Sequence, residues 1–229
     1  MTDARLRRAQ RLRRIRRPAW LGTIRRTRPL SDTWGRDRGR PIDRYYVEDF
    51  LAENRAAVTG RVVEIADRRY TGRFGTGVTA SDVLDIHAGN REASLIADLC
   101  DASALPVDAY DCVIVTQTLQ YVYDVEAAVR GVHQILRPGG VALITVPAVS
   151  RVARSAGVEG DFLRFTYASC AQLFGSVFEG PVDVRARGNV LVAVAFLVGM
   201  AREELSMSEL EFDDPYFPVL ITIRAQKQP

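Results

Sequence analysis

The chain has 229 residues, 47% of them hydrophobic and 26% charged, with a net charge of +3, which suits one domain of ordinary size plus a segment at one end. No stretch is long and apolar enough to cross a membrane: the richest, Val190 to Met200, has about half of the roughly twenty residues required. The opening residues lack the basic, apolar and small-residue series of a secretion signal, so a cytoplasmic protein is expected. Cys100, Cys112 and Cys170 are odd in number and lack metal-ligand spacing, so they are expected to be reduced and structural. With His87 and His133 the only histidines, a zinc site is not expected.

Charge is unevenly placed. Residues 1–40 hold fourteen arginines against Asp3, Asp32 and Asp37, a net of +11, which leaves −8 for the remainder. Residues 1–33 are therefore read as a basic extension and residues 34–229 as the domain. Leu6, Ala9, Leu12 and Ile15 recur at every third position among the arginines, a pattern compatible with a basic amphipathic helix. Such a segment suits an anionic membrane surface or an acidic protein partner; it equally suits a tail that is solvated or folded onto its own acidic domain. No aromatic interleaving or nucleic-acid motif accompanies it, so nucleic acid is not an expected partner.

A helix is predicted from about Pro41 to Val58, with Pro41 in its first turn and Tyr45, Val47, Phe50, Leu51 and Val58 as its apolar stripe. Gly60 breaks the chain, and a first core strand follows at Arg61 to Ile65. The next strand is predicted at Val78 to Ile86. The glycines and threonines from Thr71 to Gly77 reduce the intervening crossover to a turn or two of helix. A third strand at Ala93 to Ala97 runs into Asp98-Leu99-Cys100-Asp101. Asp111 to Thr116 is an unbroken apolar run suited to a parallel strand covered on both faces, ending on Thr116, Gln117 and Thr118.

Asp124 caps a helix whose apolar positions are Val125, Ala128, Val129, Val132, Ile135 and Leu136, and Arg137-Pro138-Gly139-Gly140 stops it. Val141 to Val146 is the strand that completes a right-handed parallel unit. Val182 to Arg187 reads as a strand. Asn189 caps a helix from about Val190 to Leu205, apolar on nearly every face and so expected to be buried in the domain or at the interface of a homodimer. A strand at Val219 to Ala225 closes the chain.

The run LPVDAYDCVIVTQTLQYVYDVEAAVRGVHQILRPGGVALITVP (Leu105 to Pro147), together with the Trp34 to Val47 segment, Glu64 and Gly188-Asn189, resembles the class I S-adenosylmethionine-dependent methyltransferases. The resemblance spans about Trp34 to Ala225 and is closest to the small-molecule enzymes met beside glycan and sugar-processing proteins of secondary metabolism. It implies an α/β, Rossmann-like, mostly parallel seven-stranded sheet with helices on both faces and an antiparallel last strand.

The same resemblance implies a cofactor, S-adenosylmethionine, and a set of contacts. Glu64 stands at the acidic position that ends the first strand. Ala66, Arg68 and Tyr70 stand where the family has three glycines, a departure that bears on loop shape, since glycine alone allows close ligand approach freely. Asp85 falls on the ribose-binding carboxylate, with Ile86 beside it. Asp98 and Leu99 fall on the adenine contacts, and Thr116 and Gln117 end the strand beside the crevice.

Tyr121 is the candidate for orienting the acceptor. Arg44 and Tyr45 on the leading helix, and Asp161 and Arg164 in DFLRFT, are the candidate substrate contacts, DFLRFT resembling a segment of glycan-locus methyltransferases. The implied reaction is methylation of a sugar, glycan or glycosylated small metabolite. The glycine-less loop also suits a non-catalytic partner or a crevice turned to other sugar chemistry. His133 is expected to face solvent.

Overall fold

The computed structural model describes residues 25–229 and Gly22; the periodic stretch Leu6 to Ile15 lies outside them. A seven-stranded sheet runs in the order β3-β2-β1-β4-β5-β7-β6. Its strands are β1 (Gly60–Ile65), β2 (Val78–Asp85), β3 (Leu95–Ile96), β4 (Tyr110–Thr116), β5 (Leu136–Pro147), β6 (Val182–Arg187) and β7 (Leu220–Gln226). The first five pair parallel, while β7 lies antiparallel between β5 and β6.

The alternation of side chains across the pleat builds two cores. Val63, Val113, Val115, Ala142 and Ile144 face α3 (Val125–Ile135) and α4 (Tyr167–Gly175). Val62, Cys112, Ile114, Val141 and Leu143 face α1 (Ile42–Glu53), α2 (Arg69–Phe74), α5 (Val190–Val198) and α6 (Met207–Glu211). The two layers are the doubly wound arrangement that leaves a crevice at the carboxyl ends of the parallel strands.

Several elements depart from expectation for local reasons. The leading helix stops at Glu53, because the Asn54 side-chain amide donates to the Phe50 carbonyl and competes with the helical ladder; a 3-10 turn, Arg55–Ala57, carries the chain on to Val58. The third strand shrinks to two residues at the sheet edge. The fifth is longer than Val141 to Val146: Leu136 already pairs with Tyr110, and Arg137 to Gly140 form an irregularity before Cys112 meets Val141.

The helix predicted to reach Leu205 ends at Val198. Gly199 adopts φ +81°, its amide closing back on Ala195 and Phe196, an ending that glycine permits at little cost. A Cβ there would stand 2.5 Å from the Ser31 carbonyl oxygen. Gly199→Ala is expected to lower stability by about 1–3 kcal/mol, read as a fall in the urea midpoint; an unchanged midpoint would show that the contact with Ser31 yields freely. α5 is also less buried than its sequence suggests, because only Val192, Ala195 and Phe196 enter the core.

Candidate active site

Polar or acidic groups stand at or just past the carboxyl ends of β1, β2, β3 and β4. Glu64 ends β1 at 2% exposure. Its carboxylate accepts from the Tyr70 and Thr71 amides and from the Thr71 hydroxyl, at 2.8 to 3.1 Å. It therefore holds the start of α2 from beneath, with burial pushing its carboxyl above the usual range. This corrects the expectation of a direct cofactor contact: the side chain shapes the loop and is closed to a ligand.

One position of the loop takes a conformation that glycine favours. Ala66 adopts φ +70°, a left-handed conformation uncommon for a residue with a Cβ, and it stays exposed at the crevice. Tyr70 turns inward, 8% exposed, and stacks on Phe74 with ring centroids 6.2 Å apart, so its bulk goes into the core instead of the crevice. Arg68 reaches across to the Glu92 carbonyl at 3.3 Å.

Asp85 ends β2 half-buried, accepting from the His87 amide at 2.9 Å and the Asn90 side chain at 2.7 Å. The Asn90 amide also donates to the Ala66 carbonyl at 2.7 Å. Ile86 is 61% exposed beside Asp85, and exposed Asp98 uses one oxygen to cap the Cys100 amide. Leu99 points its side chain into the core at 4% exposure, which leaves only its backbone for a ligand. Its carbonyl lies so close to α3 that a Cβ on Gly131 would meet it at 2.0 Å.

At the β4 end, Thr116 is half-buried, and Gln117 at φ +49° donates through its backbone to the Thr145 carbonyl. Gln120 is 4% exposed; its amide donates to the Gln117 carbonyl while its Oε1 is buried with no protein partner. Gln120 thus carries a buried acceptor left unpaired among the described residues. Its only sequence signal is a polar residue between strand and helix.

Tyr121 follows in the 3-10 turn at 37% exposure, within electrostatic reach of Arg151. The Arg151 guanidinium lies over the Trp34 ring, 3.7 Å from its centroid. Tyr123 and Phe162 meet edge to face at 5.6 Å, 82% and 46% exposed. The Phe162 and Leu163 amides both donate to the Gln120 carbonyl, which brings this aromatic pair beside Tyr121. Trp34, Tyr123, Arg151 and Phe162 were not singled out in the sequence, because their convergence depends on loops far apart in the chain.

Three of the expected substrate contacts serve the fold. The Asp161 side chain is 2% exposed and paired with Arg164, and it also accepts from the Ala153 amide. Arg164 spends its remaining donors on the Ser150, Arg151 and Leu163 carbonyls. Together they staple the loop after β5. Asp161→Ala is expected to cost about 2–4 kcal/mol by leaving Arg164 without its counter-charge.

The Arg164 hydrogen bond holds the Asp161 carboxyl below its ordinary value. This stability is complete above the ordinary carboxylate range and is lost as pH falls through the depressed value; urea unfolding at neutral and acidic pH should show the mutant deficit shrinking with acid. Tyr45 is turned to the outer side, against Tyr46 at 5.1 Å and under Arg202. Arg44 remains on the α2 side, within electrostatic reach of Tyr70.

His133 is not solvent-facing: it packs edge-on against Phe178 at 5.0 Å and lies 3.3 Å from a Glu179 oxygen. A second concavity, lined by Thr59, Asp111, Pro138 and Arg224, lies at the amino ends of the strands. Its carboxylate, Asp111, is occupied by the Arg61 amide and Arg137.

Residues 56–144, which carry β1 to most of β5, match the family described as the methyltransferase domain. The chain is similar to that family over these residues. Its fold is shared with a SAM-dependent methyltransferase from Archaeoglobus fulgidus at 12% identity, a TM-score of 0.53 and coverage of 80% of this chain and 94% of that one. It is shared likewise with an S-adenosylmethionine-dependent methyltransferase from Mesorhizobium loti at 18% identity, TM-score 0.51, covering 81% and 98%. The YcgJ protein from Bacillus subtilis aligns at 12% identity, TM-score 0.54, covering 81% and 99%. No curated protein matches the sequence. The Rossmann-like sheet, with its antiparallel β7, is the arrangement the sequence resemblance implied.

Proposed function

We propose that the chain is an S-adenosylmethionine-dependent methyltransferase whose acceptor is a sugar or glycosylated small molecule. The observation that carries the reading is the crevice edge itself: Asp85 and Asp98 at successive strand ends, beside a loop held in the left-handed turn at Ala66. These groups fit the cofactor. Asp85 accepts from ribose hydroxyls, Asp98 offers its free oxygen to the adenine amine, and the Ala66 backbone permits close approach. When bound, the cofactor supplies an electrophilic methyl on a sulfonium.

What the protein adds is alignment, since in-line displacement depends mainly on holding the acceptor oxygen or nitrogen at the correct distance and angle. Tyr121 orients the acceptor by a hydrogen bond. The exposed faces of Tyr123 and Phe162 suit the apolar side of a sugar ring. Titration with S-adenosylmethionine by calorimetry, followed by methyl transfer to a panel of sugars and glycosides, tests both parts. No heat at millimolar cofactor sinks the first; binding with transfer only to non-sugar acceptors sinks the second. Tyr121→Phe is expected to reduce turnover several-fold with cofactor affinity unchanged.

One observation favours a second reading, a non-catalytic partner. The Asn90 amide already fills a lone pair of Asp85 and closes on the Ala66 carbonyl, so the crevice is satisfied without a ligand. The same calorimetric titration separates the two.

A further inference from the structure

The loop after β5 carries three arginines, Arg151, Arg154 and Arg164, and they are not equally matched. Arg154 pairs with Asp32 at 2.9 Å, and Arg164 pairs with the buried Asp161. Arg151 is half-buried and makes no ion pair among the described residues. Its terminal nitrogens donate to the Asp32 and Val152 carbonyls, while its Nε is buried without an acceptor. Two bonds therefore serve a group with five N–H donors and a full charge.

The guanidinium is nevertheless held firmly. Trp34 adopts φ +56°, uncommon for a bulky residue, with the Ser31 hydroxyl accepting from the Thr33 and Gly35 amides on either side at 3.1 and 3.0 Å. The indole Nε1 donates to the Ser150 hydroxyl at 3.4 Å, and the Arg151 guanidinium lies over the ring, 3.7 Å from its centroid. Arg164 fixes the backbone beneath by donating to the Arg151 carbonyl at 2.9 Å. A guanidinium laid against an aromatic face keeps its edge for a planar anion, and a strained residue such as Trp34 points to a binding role.

The surroundings fit an anion. Burial and then Arg154 lower the pKa of Arg151, opposed by Asp32 and by Tyr121; the Asp32 carboxylate is already taken by Arg154. A bound negative group would offset the same burial. Tyr121 is the residue given the task of orienting the acceptor, and the Phe162 amide docks on the adjacent Gln120 carbonyl.

We propose that Arg151 sets the specificity of the acceptor site by binding an anionic group on the sugar, a carboxylate or a phosphate, while the ring of the sugar lies on Tyr123 and Phe162. Resting on the methyl-transfer reading, this narrows the acceptor from sugars in general to acidic ones. A neutral sugar would leave the guanidinium without a counter-charge.

The full chain, saturated with S-adenosylhomocysteine, is titrated by calorimetry with glucuronate, glucose 6-phosphate and glucose. At least one of the two anions is expected to bind about tenfold more tightly than glucose, and the tighter of the two identifies the source of the charge. Arg151→Gln is expected to erase that preference; Arg151→Lys, which keeps the charge without the planar fork, restores part of it. Equal affinity for all three compounds, no heat with either anion, or a preference that survives in Arg151→Gln would overturn the proposal. A lower urea midpoint in Arg151→Gln with the preference intact would give the side chain to the loop alone. Failure of S-adenosylmethionine to bind sinks the methyl-transfer reading separately, and the same titrations on the cofactor-free chain then decide whether the anion site stands.

Discussion

Glu64→Ala is expected to lower the stability of the domain by about 2–4 kcal/mol and to abolish the ordered start of α2. The wild-type carboxylate is almost wholly buried and is tolerated there because it satisfies the Tyr70 amide, the Thr71 amide and the Thr71 hydroxyl. Truncation leaves all three donors without a partner in a place water reaches poorly, and each orphaned group costs roughly 1–3 kcal/mol, partly offset by relaxation. Urea unfolding measures the loss. Glu64→Gln, which keeps one acceptor, should recover part of it. If both variants unfold at the wild-type midpoint, the carboxylate does not hold the loop, and the account of how a glycine-less loop keeps its path fails with it.

Asp85→Ala is expected to weaken S-adenosylmethionine binding ten- to hundredfold, the equivalent of about 1.4–2.8 kcal/mol, with a much smaller effect on stability because the residue is only half-buried. Calorimetry gives the affinity and urea unfolding the stability, so the two roles of the side chain can be read separately. A large stability loss with unchanged affinity would assign Asp85 to the Asn90 turn alone. The contrast with Glu64 is the informative part. Neighbouring strands present two carboxylates at the same edge, one sealed beneath the backbone and one open to the crevice.

The strands and caps that depend on near neighbours were legible in the sequence. β4 reads as a buried parallel strand from its run of β-branched residues, and Asp124 and Asn189 cap α3 and α5 as their positions suggest, accepting from Ala127 in one case and from Leu191 and Val192 in the other. β6 begins and ends where its alternation predicts. Element ends were less legible. Gly199 stood in plain view within an apolar run, but its role as a stop depends on Ser31, far away in the chain.

The site shows the same division. Asp85 ends β2, and Ile86 and Asp98 follow just past β2 and β3, as the strand pattern dictates. Asp161 and Arg164 carry the residue types of a ligand contact, yet their partners are each other and the carbonyls of a folded-back loop, which no spacing reveals. Tyr45 was misplaced because the face of α1 turned toward Arg202 is fixed by packing against α6 on the same side of the sheet, where Tyr46 donates its hydroxyl to the Leu210 carbonyl.

The bond pair made by Asn90 ties the two walls of the crevice through a single side chain, one hydrogen to the Ala66 carbonyl and one to Asp85. The position of Asp85 and the path of the chain at Ala66 are therefore set by one residue, so a change at Asn90 would be felt on both sides of the crevice at once.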